Sequence, residues 1–229
     1  MTSTKPGATS ATTTPRVTST TAKPTSSGGV TSAPPATTTA AVAGNPFAGK
    51  QIYANPYYSS EVISIAIPSL TAAADKAKAS KIANVGSFVW LDTLSKVPTM
   101  DTYLADIKAK NAAGASPPII GAFVVYDLPD RDCAALASNG EYSIANGGVA
   151  NYKNYIDQIV KILKKYPDVQ VALVVEPDSL GNLVTNLNVA KCAGAASAYK
   201  EGITYAMQQL NLANVAMYLD AGHAGWLGM

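Results

Sequence analysis

Carboxylates stand where apolar runs stop. Val171-Ala172-Leu173-Val174-Val175 has the length and β-branched content of a strand covered on both faces, and it ends at Glu176-Pro177-Asp178. Pro177 has no N–H for a ladder, so the strand closes between two acids. Trp90-Leu91 runs into Asp92, Val125-Tyr126 into Asp127, and Tyr218-Leu219 into Asp220, with His223 and Trp226 just beyond. Each feature also has a plain reading: Asp178 as the cap of a following helix, Trp90 as core, His223 as a structural histidine. Carboxylates do acid–base work when their environments split their pKa values. Flat aromatic side chains stack on the apolar faces of sugars. Together these residue types point to glycoside hydrolysis, which uses two carboxylates.

Other chemistries lack their residues. There is no G-x-G-x-x-G after a strand, no phosphate-binding G-x-x-x-x-G-K-S/T and no G-x-S-x-G elbow. One histidine and two distant cysteines make no zinc set, so no metal or cofactor is expected. Net charge is +2, of which Lys5, Arg16 and Lys23 lie near the N-terminus. The remainder is near neutral, without the basic stripe that nucleic acid would need. No apolar run approaches the roughly eighteen residues of a membrane span. MTSTKPGATS has no apolar signal-peptide core, so the chain is expected to start downstream of its natural beginning.

The acids need a frame that brings them together. Helices are predicted over Ser69–Gly86, Thr99–Gly114, Gly148–Pro167 and Cys192–Asn211, the first two with Ser69 and Thr99 as caps. In the third, Val149, Tyr152, Ile156, Ile159 and Leu163 share one face. Strands are predicted over Ser87–Asp92, Ile119–Asp127, Val171–Val175 and Val215–Gly222. Alternating helices and continuous apolar strands mean an α/β fold with a parallel sheet. Its strands all point one way, so the four acidic exits share the edge where such folds hold their sites.

Residues 1–44 are a different material, Thr-, Ser-, Ala- and Pro-rich with no aromatic or acidic residue. They cannot bury enough apolar surface to order themselves and read as a disordered, O-glycosylated type of linker. Residues 45–229 read as the folded part. An extracellular stalk favours a disulfide between Cys133 and Cys192 over two buried thiols. Closing that loop would stabilise the fold by roughly 4 kcal/mol in the chain-entropy account.

Three stretches carry a family resemblance: VVYDLPDRDCAALASNGEYSIANGG, LVVEPDSLGNLVTNL and MYLDAGHAGWLG. They resemble glycoside hydrolase family 6, as do NPFAGKQIYANPYYSSEV and SFVWLDTLSKVPTM, so the resemblance covers Asn45 to Gly228. It implies a distorted β/α barrel, TIM-like with fewer strands, of which this chain holds the N-terminal part. It implies a secreted, monomeric enzyme that hydrolyses β-1,4-glucosidic bonds of cellulose and cello-oligosaccharides with inversion, releasing mainly cellobiose. An endo-acting member of the same family, or a non-catalytic fragment that at most binds glucan, are the other readings.

By the same resemblance Asp178 is the general acid, Asp132 the second active-site acid and Tyr126 the tyrosine beside the distorted sugar. Trp90, Asp92, Ser138, His223 and Trp226 match sugar-binding positions. Asp220 and Arg131 are supporting residues, with Arg131 either paired to a rim carboxylate or on the surface. Cys133 and Cys192 match a family disulfide. Glu176 is read as structural, orienting the turn. The catalytic base is expected beyond residue 229, and the chain alone is expected to be unstable and inactive.

Overall fold

The computed structural model describes residues 44–135 and 137–227, among which five strands form one parallel sheet. They are β1 (Gln51–Ile52), β2 (Val89–Leu91), β3 (Ile119–Val125), β4 (Val171–Val175) and β5 (Val215–Leu219). β3 and β4 pair from Gly121↔Val171 to Val125↔Val175, and β4 pairs with β5 from Val171↔Val215 to Val175↔Leu219. The other edge of β3 is shared in series. β1 takes its start, Gln51↔Ile119, and β2 its end, Leu91↔Val125. Leu91, Val125, Val175 and Leu219 therefore stand level, and the acidic loops leave from one edge as the alternation predicts.

Three long helices cover the sheet: α4 (Val97–Ala112), α5 (Gly148–Leu163) and α7 (Ala190–Gln209). α5 buries Tyr152, Tyr155, Ile156, Ile159 and Leu163, the three-and-four spacing of a core-facing stripe. These side chains pack with Phe123, Leu173, Val175 and Tyr199 in one core. Gly202 on α7 permits close approach. A Cβ there would lie 2.7 Å from the Leu128 side chain and 3.2 Å from the Tyr152 ring. No helix among the described residues is long and apolar enough to cross a membrane. The linker expected over residues 1–44 lies outside the described residues, apart from Gly44.

Several expected boundaries are corrected. The helix predicted from Ser69 begins at Ala73 and ends at Ile82 (α3), and Ser69 instead closes an earlier helical stretch. That stretch runs through α1 (Pro56–Glu61), a π-helical turn (Val62–Ala66) and α2 (Ile67–Ser69). Its start is a local device: Asn55 accepts the Tyr57 N–H at 2.9 Å, and Pro56 takes the first turn, where no N–H is needed. Thr99 is not a cap either. α4 starts two residues earlier, and the Thr99 hydroxyl donates back to the Lys96 carbonyl at 2.6 Å. The strand expected over Ser87–Asp92 is only three residues, because β2 finds a partner only along the end of β3.

Candidate active site

The β4 exit decides between the two readings of Glu176-Pro177-Asp178. A short helix, α6 (Ser179–Thr185), does follow, but the Asp178 side chain makes no capping bond to it. Asp178 sits at φ 64°, the left-handed region that few side chains adopt. Its backbone is gripped from outside. Asp220 Oδ2 accepts the Asp178 N–H at 2.8 Å, and the Asn182 amide donates to the Asp178 carbonyl at 2.9 Å. The carboxyl is thus left for the cleft. Partial withdrawal from water raises its pKa, the charges of Asp220 and Asp132 raise it further, and His223 opposes them.

Asp132 faces the same cleft, of about 330 Å³, together with Asp178, Asn182, Asn186, His223 and Trp226. It too has a positive φ, 52°. Its Oδ2 accepts the Ser138 N–H at 2.6 Å, so Ser138 folds the loop back over the acid through its backbone, with its side chain exposed. At the other end of the cleft, Trp226 is pinned by its indole N–H, which donates to Thr185 Oγ1 at 2.7 Å. Gly181 leaves room for that ring, since a Cβ there would stand 3.2 Å from it. The His223 ring lies 6.1 Å from the Trp226 ring, and the Trp226 N–H points to His223 Nδ1 at 3.2 Å.

Tyr126 and Trp90 form a neighbouring aromatic corner. Their rings meet edge to face at 5.4 Å, and the Arg131 guanidinium lies 4.5 Å over the Tyr126 ring. Burial, and then the Asp132 charge, push the Tyr126 phenol up to about 12, so it stays a neutral donor. Trp90 is 47% exposed and is not core. It opens on a second hollow of about 280 Å³ with Asn55, Tyr57, Lys96, Thr99 and Tyr103. Asp92 pairs with Lys96, which lines this hollow, at 2.6 Å. Tyr57, exposed on the same hollow, was not singled out by the sequence; only its place after an Asn-Pro helix start puts it there.

Arg131 is not on the surface. It is buried and donates to the carbonyls of Ser138 (2.8 Å), Asp92 (2.7 Å) and Tyr126, and pairs with Asp127 at 3.3 Å. Asp127 is sealed from solvent, with Glu141 of the following loop against it, and burial lifts its carboxyl to about 9. Glu176 is buried as well. Its carboxylate accepts the N–H groups of Asp127 (3.0 Å) and Leu128 (3.3 Å), and burial raises it to about 7. Cys133 and Cys192 form the expected disulfide, which ties the residue after Asp132 to α7. Lys191 adds bonds to the Arg131 carbonyl and to Asn139 Oδ1. Among the described residues no cluster could hold a metal ion.

The sequence profile of Glycosyl hydrolases family 6 matches residues 47–229. Among curated relatives, the 1,4-beta-D-glucan cellobiohydrolase C of Emericella nidulans is 70% identical over 82% of this chain and 42% of its own length. Exoglucanase 2 of Hypocrea jecorina is 65% identical over 82% of this chain and 40% of its own. Among solved structures, the catalytic core domain of the cellobiohydrolase Cel6A from Chaetomium thermophilum superposes with a TM-score of 0.79. It shares 61% identity over 81% of this chain and 52% of that one. Cellobiohydrolase II (Cel6A) from Humicola insolens, solved with glucose and cellotetraose, also gives 0.79, at 58% identity over 81% of this chain and 52% of that one. The chain thus spans about two fifths of the length of the curated relatives it matches, and its sheet is part of the distorted barrel of these catalytic domains.

Proposed function

The chain belongs to glycosyl hydrolases family 6, and on that footing we propose that it forms part of a secreted cellulase. The enzyme hydrolyses β-1,4-glucosidic bonds of cellulose and cello-oligosaccharides with inversion and releases mainly cellobiose. The observation that carries this reading is the state of Asp178. Its carboxyl is free of the helix it precedes, shares a cleft with Asp132, and has its pKa raised.

Asp178 gives its proton to the glycosidic oxygen as the bond from that oxygen to the anomeric carbon breaks. The Asp132 carboxylate stabilises the positive charge that builds on the sugar ring and, by repulsion, keeps the proton on Asp178 until it is needed. Water attacks the anomeric carbon from the opposite face, which inverts it. The water gives up its proton to a base as it attacks. Trp226 and His223 support the sugar that leaves. Tyr126 stands by the reacting ring, and Trp90 receives the glucan on the far side of it. Asp92, salt-bridged to Lys96, and Ser138, on the covering loop, supply polar contacts.

The test is hydrolysis of cellotetraose by the full-length protein, with the product anomer followed by NMR. The expected result is α-anomeric product and its loss in Asp178→Asn. Full activity in that variant, or β-anomeric product, would sink the reading.

A further inference from the structure

We infer that Glu176 is a positioning residue that sets the spacing of Asp178 and Asp132 by fastening the end of β4 to the loop after β3. The inference rests on the acid assignments proposed above. Glu176 stands two residues before Asp178, and its side chain turns inward instead of toward the cleft. It is 2% exposed and held at φ 49°, a conformation that is rare for a residue without glycine's freedom.

Its bonds run mainly between the two loops that carry the acids, with the Tyr152 hydroxyl of α5 also against its carboxylate. Its carboxylate takes two consecutive N–H groups of the β3 loop, those of Asp127 and Leu128. Its own N–H donates to the Val125 carbonyl at 2.8 Å, and its carbonyl accepts from the Ser179 hydroxyl. Three backbone groups at the β3 exit are therefore joined to one residue at the β4 exit. Asp132 lies four residues past Leu128. A helix cap alone would ask for none of these bonds. Burying a carboxyl costs free energy, and here it satisfies two N–H groups that would otherwise be sealed without partners. Asp127, Arg131, Tyr126, Tyr152, Tyr155 and Tyr199 surround it, and among the described residues none that lines the cleft bonds to its side chain.

A residue that only stabilises the fold would change how much enzyme is active. A residue that sets the spacing changes how strongly Asp132 acts on Asp178, and so where the proton of Asp178 is lost. Asp220, Asp132 and His223 are the charged groups acting on Asp178. If the tether loosens and the loops part, repulsion from Asp132 weakens, and the alkaline limb of kcat/KM moves to lower pH.

The experiment is the pH profile of cellotetraose hydrolysis by full-length Glu176→Gln, well below its melting temperature. Glutamine keeps the shape but replaces one acceptor with a donor facing an N–H. Expected is a roughly tenfold fall in kcat, KM within about twofold, and an alkaline limb lower by about 0.5 pH. An unmoved limb with activity merely scaled down overturns the proposal. If Glu176→Gln does not fold, Glu176→Asp, with a shorter reach, is read in the same way. Failure of both variants to fold assigns Glu176 to the fold alone and also overturns it. Asp178→Asn is run beside them. If its profile keeps the limb, the acid assignment fails; if the limb is lost there but unmoved in the Glu176 variants, only the role of Glu176 fails.

Discussion

The middle of the sheet and its flanks are built to different standards. β3 and β4 are sealed on both faces, and the loops leaving them are knit by Glu176, Arg131 and the disulfide. β2 and β5 are half-open. Trp90 faces out of β2, and Tyr218 and Leu219 out of β5. Both kinds of strand end in an acid, yet only the inner pair carries the two assigned to bond cleavage. Rigid spacing matters where a proton must be delivered, whereas a surface on which sugar slides needs aromatic area more than fixed geometry.

The comparison is broken most directly at Asp178. Asp178→Asn is expected to lower kcat on cellotetraose about a thousandfold, near 4 kcal/mol, because a general acid contributes on that scale. Trp90→Ala, at the flank, should raise KM several-fold and leave kcat within about threefold. Equal losses at both places would erase the distinction.

The second contrast is in stability. Leu173→Ala, at a fully buried position of β4, should cost about 3 kcal/mol in denaturant unfolding. Leu219→Ala, 45% exposed on β5, should cost below about 1 kcal/mol.

The third is pH. Glu176 rises from its ordinary 4.5 to about 7 in the fold, and Asp127 from 3.8 to about 9. Between those values the folded state holds protons that the unfolded state has lost, so stability must fall as pH rises. The stability is complete below about pH 4 and is lost as pH climbs through 7 toward 9. Glu176 alone accounts for a loss on the order of 3 kcal/mol. Urea midpoints at pH 5 and pH 8 check it. Glu176→Gln should flatten the slope. A midpoint that rises with pH would refute the account of both buried acids.

The smallest effect is expected at Trp226. Thr185→Val removes the partner of its indole N–H and should weaken cello-oligosaccharide binding only about threefold, by calorimetry on the Asp178→Asn background.

Four of the five strands were legible in the residues because their signal is local and repeated, whereas β1, two residues long, left no such signal. β-branched runs of five to seven residues read as buried strands wherever they occur, and the helix periods between them force a parallel arrangement. That put the acids on one edge. What decided among them was not local. Whether Asp178 caps a helix depends on a backbone angle, and both readings begin with the same residues. Arg131 was ambiguous because its partner Asp92 lies 39 residues away, on the exit of another strand. Glu176 read as an orienting residue, but the two N–H groups it takes lie 48 and 49 residues away. The helical stretch after Asn55 was missed because Val62, Ile63 and Ile65 carry strand-like propensity, which the cap and the π-helical turn override.

Gly202 lies on an outer helix, where a protein engineer would look last. Any side chain there would press on Leu128, whose N–H Glu176 holds, and on Tyr152 beneath it. Random libraries that spare the rim and vary α7 for thermostability would therefore still reach the cleft through this one position. A helix-favouring Gly202→Ala, attractive by propensity alone, would trade a gain in helix for a displaced loop after β3.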